Sequence, residues 1–157
     1  MNAGFTAKSI MLLFVSVLIL YFVVFEGIEY LRYRKGPWVI EFQGGADGSP
    51  TLLISQPHLR LTNVLLVLRG ERMTNGSGRV SFDRVQRPVP FGRMIYEDLT
   101  FLPGVLTFDL YGHEVELLPR TLVINRRQIP WRSGATVDLW PTNKPPDPPQ
   151  PPDQRPR

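Results

Sequence analysis

The stretch Ser9–Phe25, SIMLLFVSVLILYFVVF, holds seventeen residues without a charge, and only Ser9, Ser16 and Tyr21 in it carry polar side-chain atoms. Counted from Phe5, past Lys8, the segment reaches twenty-one residues. A helix needs about 20 mostly apolar residues to cross a hydrocarbon core roughly 30 Å thick. Inside lipid every backbone amide has to be satisfied within the segment, so a lone crossing segment is helical. No polar stripe runs along it, as one would along a helix laid on the core of a soluble domain. A cleaved signal peptide has a shorter apolar core followed by small residues at an A-x-A-like spacing. Here the run leads into Phe25-Glu26-Gly27-Ile28-Glu29, which lacks that pattern. The expectation is an uncleaved, single-pass membrane anchor of signal-anchor type, with the bilayer as its first partner.

The flanks divide the remaining chain. Residues 1–8 form an N-terminal stub, 9–31 the transmembrane helix with an interfacial extension, and 32–36 a basic juxtamembrane linker. Tyr30 and Tyr33 fall where aromatic rings gather at a membrane interface. Arg32, Arg34 and Lys35 are placed to meet lipid headgroups. Those three cations exceed Lys8 and the terminal amine on the other flank, and the positive-inside rule then leaves the C-terminal domain cytoplasmic. The common signal-anchor arrangement exports it instead, so the side of the domain stays open between cytoplasmic and extracytoplasmic.

From residue 37 to 140 the helical period disappears and short β-type runs alternate with turn residues. Trp38, Ile40 and Phe42 share one face of the first run. Leu106, Phe108 and Leu110 share one face of a later run, as do Val115 and Leu117. Val64-Leu65-Leu66-Val67-Leu68 is apolar without alternation, which marks a strand covered on both faces, by another layer of the domain or by a partner. Asn75-Gly76 and Asn125-Arg126 are suited to tight turns. Pro88 and Pro90 keep 86–92 out of a central strand. Eight to ten short strands result, with no further helix. The fold class is a single N-terminal transmembrane α-helix followed by an all-β domain, a sandwich or partly open barrel. Residues 141–157 contain eight of the sixteen prolines and almost nothing apolar besides. They are expected to be a disordered, proline-rich tail of polyproline II character.

Composition narrows the chemistry. Without cysteine there is no disulfide partner, no thiolate nucleophile and no thiolate-bound metal. The net charge of +4 is spread along the chain: residues 37–141 hold eleven Arg, no Lys and ten Asp or Glu. A domain so close to neutral lacks the basic face of a nucleic-acid binder, and no nucleic acid is expected. His58 and His113 read as exposed turn histidines, and no nucleophile elbow accompanies them. On a strand, adjacent residues of His113-Glu114-Val115-Glu116 point to opposite faces, which disfavours a metal site. Glu97, Asp98 and Asp109 offer carboxylates that nothing in the sequence brings together. Gly44-Gly45-Ala46-Asp47-Gly48 lacks the Lys-[ST] and helix of a phosphate cradle. No cofactor, metal or catalytic residue is expected.

The expectation is therefore a non-enzymatic accessory or scaffolding protein whose β domain binds a protein near the membrane. Its candidate partner surface comprises Leu65, Val67, Trp131 and Trp140, since Trp is over-represented at binding hot spots. The alternative is a module binding an envelope glycan, polymer or lipid through exposed aromatics. A second alternative is a small hydrolase using carboxylates and His113.

Overall fold

The structure, a computed structural model, describes residues 7–73, 76–85 and 88–144. The 141–157 tail from Pro145 onward and the first residue of the Asn75-Gly76 pair lie outside the described residues. The chain opens with α1 (Ala7–Tyr33), 27 residues, or about 40 Å at 1.5 Å per residue. It is long and apolar enough to cross a membrane, and none of its residues is buried in the domain. It runs two residues past the expected boundary at 31. Gly36 ends it, taking φ +69° and donating its N–H to the Tyr33 carbonyl at 3.0 Å. Glycine enters the left-handed region without a Cβ penalty, the usual way a helix stops.

Ten strands follow: β1 (Val39–Gly44), β2 (Pro50–Gln56), β3 (Leu61–Leu68), β4 (Gly78–Ser81), β5 (Arg93–Asp98), β6 (Val105–Leu110), β7 (His113–Leu117), β8 (Leu122–Ile124), β9 (Arg127–Ile129) and β10 (Thr136–Leu139). Two five-stranded sheets form, in the orders β10-β3-β2-β1-β4 and β5-β6-β7-β8-β9. All pairings are antiparallel but that of β10 with β3. The only other helical pieces among the described residues are 3-10 turns at Pro57–Leu59 and Pro141–Asn143. A helix plus an all-β domain, as the strand pattern predicts, is what the chain forms.

Period-two alternation builds the core between the sheets. Trp38, Ile40 and Phe42 on one layer, and Leu106, Phe108, Leu110, Val115 and Leu117 on the other, are all fully buried. Register aligns Phe42 with Leu52 and Leu52 with Leu66, so the apolar rows stack across three strands. Edge-to-face rings hold the layers, Phe42 to Phe91 at 5.0 Å and Phe82 to Phe108 at 5.7 Å. The hairpins at Tyr111-Gly112 and Asn125-Arg126 each place both loop residues at positive φ, the twist-matched two-residue turn.

His113 is not an exposed turn histidine: it is the first residue of β7 and is fully buried. The two-residue turn ends at Gly112, and an inward-facing position on β7 takes His113 into the packed interior.

Candidate functional site

Chain ends and strand ends give the domain two poles. At one lie the start of β1, the end of β2, the end of β4 and the β5–β6, β7–β8 and β9–β10 connections. The C-terminus of α1 meets this pole. At the other lie the β1–β2, β6–β7 and β8–β9 turns and Lys144, where the described chain ends.

The junction of α1 with the domain is built from a set of polar contacts centred on Arg32 and Gln56. Arg32, in the last turn of α1, donates from Nε to the Leu99 carbonyl at 3.1 Å and from Nη2 to the Asp83 carbonyl at 3.3 Å. Its own carbonyl accepts from the Leu102 N–H at 3.2 Å. Glu29 lies 3.6 Å from the same guanidinium, and the Tyr33 ring is 5.2 Å from Cζ. Arg32, expected among lipid headgroups, is thus engaged by the domain's own backbone.

Gln56 performs the second half of the attachment. Fully buried at the end of β2, it donates from Nε2 to the carbonyls of Lys35, Gly36 and Pro37 at 3.0, 2.9 and 3.1 Å. Its Oε1 accepts from the N–H groups of His58 and Leu59 at 2.7 and 3.4 Å, capping the 3-10 turn. The segment after the helix is therefore clamped rather than loose. Trp38 completes the joint, donating from its indole to the Gly104 carbonyl at 3.1 Å. Gly104 sits at φ +76°, and a Cβ there would stand 2.4 Å from the Asp98 carbonyl. Asp98 in turn accepts the Thr100 N–H at 3.0 Å, and that bond holds its carboxyl below the usual range. Loop 99–104 is thus gripped by Arg32 and Trp38 and shaped by Asp98.

The other named residues scatter. Tyr30, Tyr33, Arg34 and Lys35 are exposed on or just after the last turns of α1. Leu65 and Val67 lie together on the outer face of the first sheet, Leu65 half-buried and Val67 buried. Arg69 flanks that face, bridging Asp47 at 2.9 Å and Asp138 at 2.8 Å. Trp131 stacks against Trp38 at 5.3 Å and donates to the Leu118 carbonyl at 2.8 Å, packing against the core. Trp140 is half-exposed at the opposite pole. Leu65, Val67, Trp131 and Trp140 do not form one patch.

At that opposite pole His113 Nδ1 accepts from Asn125 Nδ2 at 3.0 Å. Asn125 also donates to the Asn143 carbonyl and accepts from the Glu114 N–H, which fixes its amide orientation. His113 Nε2 is buried without a hydrogen-bond partner. Desolvation, then the Lys144 ammonium, pull the imidazole below its ordinary pKa, while Glu71 and Asp109 oppose. Lys144 is ion-paired with Glu71 at 2.7 Å. Asp109 pairs with Arg93 across the hairpin, at the end of β5 away from Glu97 and Asp98, so the three carboxylates do not converge. Among the described residues no group of three His, Cys, Asp or Glu is placed to hold a metal.

Two large apolar side chains stand out on the β5 edge. Ile95 and Tyr96 are half-exposed where β5 bulges between Met94 and Tyr96, and among the described residues β6 is the only strand paired with β5. Sequence reasoning missed this surface, since only the sheet order makes β5 an edge. It also missed Gln56, whose one local signal is a polar residue just before Pro57 at a turn start. Compared with protein-family models, curated proteins and solved structures, the chain matches none.

Proposed function

We propose that the chain is a single-pass membrane protein whose β domain is a non-enzymatic docking module for a protein partner beside the bilayer. The observation that carries this reading is the joint between α1 and the domain. Arg32 and Gln56 make seven side-chain hydrogen bonds across or beside it. A tethered enzyme acting on soluble substrate gains nothing from a fixed attitude to its anchor. A docking subunit does, because a rigid joint presents the same edge to every neighbour in the membrane plane and spares the ordering entropy of a flexible linker. Ile95 and Tyr96 on β5 are the contact residues of choice, as exposed apolar and aromatic side chains on an unpaired edge. The bulge keeps that edge from extending the ladder, so side chains rather than strand addition carry the contact.

The test is a photo-crosslinking amino acid at Tyr96 in the full chain, in native membranes. One discrete adduct of constant mass, weakened when Arg32→Ala loosens the joint, is the expected result. Only uncrosslinked chain at Tyr96, and again at Ile95, would sink the proposal.

A further inference from the structure

At the pole joined to α1, four of the five strand-end connections carry an exposed cation, Arg60 after β2, Arg84 after β4, Arg120 between β7 and β8, and Arg132 between β9 and β10, and the fifth, between β5 and β6, carries none. Arg34 and Lys35, also exposed, extend the same pole. Its acids include Glu29, ion-paired with Arg32, and Glu97, Asp83 and Asp98. Asp83 lies 3.9 Å from Arg84, and Asp98 is occupied with Thr100. Arg60, Arg120 and Arg132 make no ion pair among the described residues. At the opposite pole Arg69, Arg93 and Lys144 are each paired with a carboxylate, while Arg126 and Arg127 are exposed without an ion pair among the described residues. Unpaired cations gathered on one face are an electrostatic footprint for an anionic surface.

The same pole exposes two apolar side chains, Val85 and Phe101. Phe101 is no loose tip. Leu99, Leu102, Pro103 and Gly104 around it are buried, and Arg32 bonds to Leu99 and Leu102 on either side of it. The turn holds the ring outward. Its depth follows from the helix: Arg32 is seven residues beyond Phe25, or about 10 Å along the axis. The headgroup layer occupies roughly 5–7 Å on each side of the hydrocarbon. A turn bonded to Arg32 therefore stands about 3–5 Å beyond the headgroup layer when α1 spans, a gap within the reach of a phenylalanine side chain.

We infer that this pole is a second membrane contact: Phe101 enters the interface and Arg60, Arg84, Arg120 and Arg132 lie against anionic lipid headgroups. The inference rests on α1 spanning the bilayer, and the test separates the two. The chain has no cysteine, so single-cysteine variants accept one fluorophore each. Leu20→Cys reports the helix, Thr100→Cys the proposed contact with Phe101 intact, and Arg126→Cys the opposite pole. The full chain is placed in single-copy nanodiscs of phosphatidylcholine with or without phosphatidylglycerol, and a water-soluble collisional quencher is added.

The expected result is loss of quenching at Leu20 and Thr100 but full quenching at Arg126. Protection at Thr100 is expected to weaken without phosphatidylglycerol, with the four arginines changed to Gln, or with Phe101→Ser. Free quenching at Leu20 would refute the spanning helix itself. Protection at Leu20 with Thr100 quenched as freely as Arg126 would overturn this inference and leave the span standing. Protection at Thr100 indifferent to both anionic lipid and the arginines would overturn the anionic assignment.

Discussion

Replacing Gln56 with Met should destabilise the domain by about 3 kcal/mol, which follows from counting what the amide satisfies. Met keeps the length and most of the volume, so the cavity contribution is small. What disappears is polar pairing. Nε2 has two hydrogens, and the three carbonyls of Lys35, Gly36 and Pro37 share them. Lys35 is exposed and its neighbours half-buried, so water can replace part of that pairing. On the other side, Oε1 holds the His58 N–H at 2.7 Å inside a residue with no exposed surface. A buried polar group left unpaired costs roughly 1–3 kcal/mol. One such carbonyl and one such N–H, taken near the middle of that range with partial hydration, give about 3 kcal/mol. That is a large share of the roughly 5–15 kcal/mol that holds a domain folded.

Urea unfolding of the full chain in detergent, followed by the fluorescence of Trp38 and Trp131 beside the joint, measures the loss. Gln56→Glu sharpens the test. It keeps one acceptor for His58 but turns a carboxylate oxygen toward three carbonyls, so its folded-state pKa is raised. Stability with a raised carboxyl pKa is complete below the unfolded value, about 4.3, and is lost as pH rises through the folded value. Gln56→Glu should therefore be less stable than Gln56→Met at pH 7, and the gap should close on acidification. A loss below about 1 kcal/mol for Met, or a Glu variant as stable as wild type at neutral pH, would refute the clamp.

Two further outcomes follow from the same geometry. Gly104→Ala should cost about 3 kcal/mol or more, since the left-handed backbone alone costs roughly 1–2 kcal/mol and the new Cβ meets the Asp98 carbonyl. Gly48→Ala, at φ +78° with open space around it, should cost only the backbone part, and equal losses in urea titrations would contradict the account. For His113 the folded pKa is lowered, so the unfolded chain takes up the proton first as pH falls below about 6.5. The stabilising effect of keeping it neutral is present above that value and is lost on further acidification. Thermal unfolding temperatures between neutral and mildly acidic pH should fall less steeply in His113→Leu than in wild type; parallel slopes would count against a neutral buried imidazole.

Much of the fold was legible because alternation is a local property. Trp38, Ile40 and Phe42, or Leu106, Phe108 and Leu110, declare their inward face within one strand, whatever the strand pairs with. The unalternating run at Val64–Leu68 declares two covered faces, and Val67 is buried on the second one. The strand that lies beside it in the sheet was not legible, because β10 pairs with β3 from about seventy residues away and in parallel. His113 was misread for a related reason. Gly112-His113 resembles an exposed turn, yet a two-residue turn closes at Gly112 and hands His113 to the core, a matter of one residue of register.

Arg32 carries the same lesson to the candidate site. In the sequence it sits among Arg34 and Lys35, and a basic flank beside an apolar helix reads as lipid contact for all three. Only Arg34 and Lys35 keep exposed positions. Arg32, three residues from Glu29 and at the end of α1, points toward loop 99–104, and its planar fork reaches the carbonyls of Leu99 and Asp83. Lysine would supply the charge but not two fixed directions of donation. The neighbouring cations are interchangeable in that sense and Arg32 is not. Arg32→Lys should therefore loosen the joint nearly as much as Arg32→Ala, whereas Arg34→Lys should leave it intact. A spin-label distance from α1 to β5 that broadens in the first two variants and stays sharp in the third is the signature of a joint held by geometry rather than by charge.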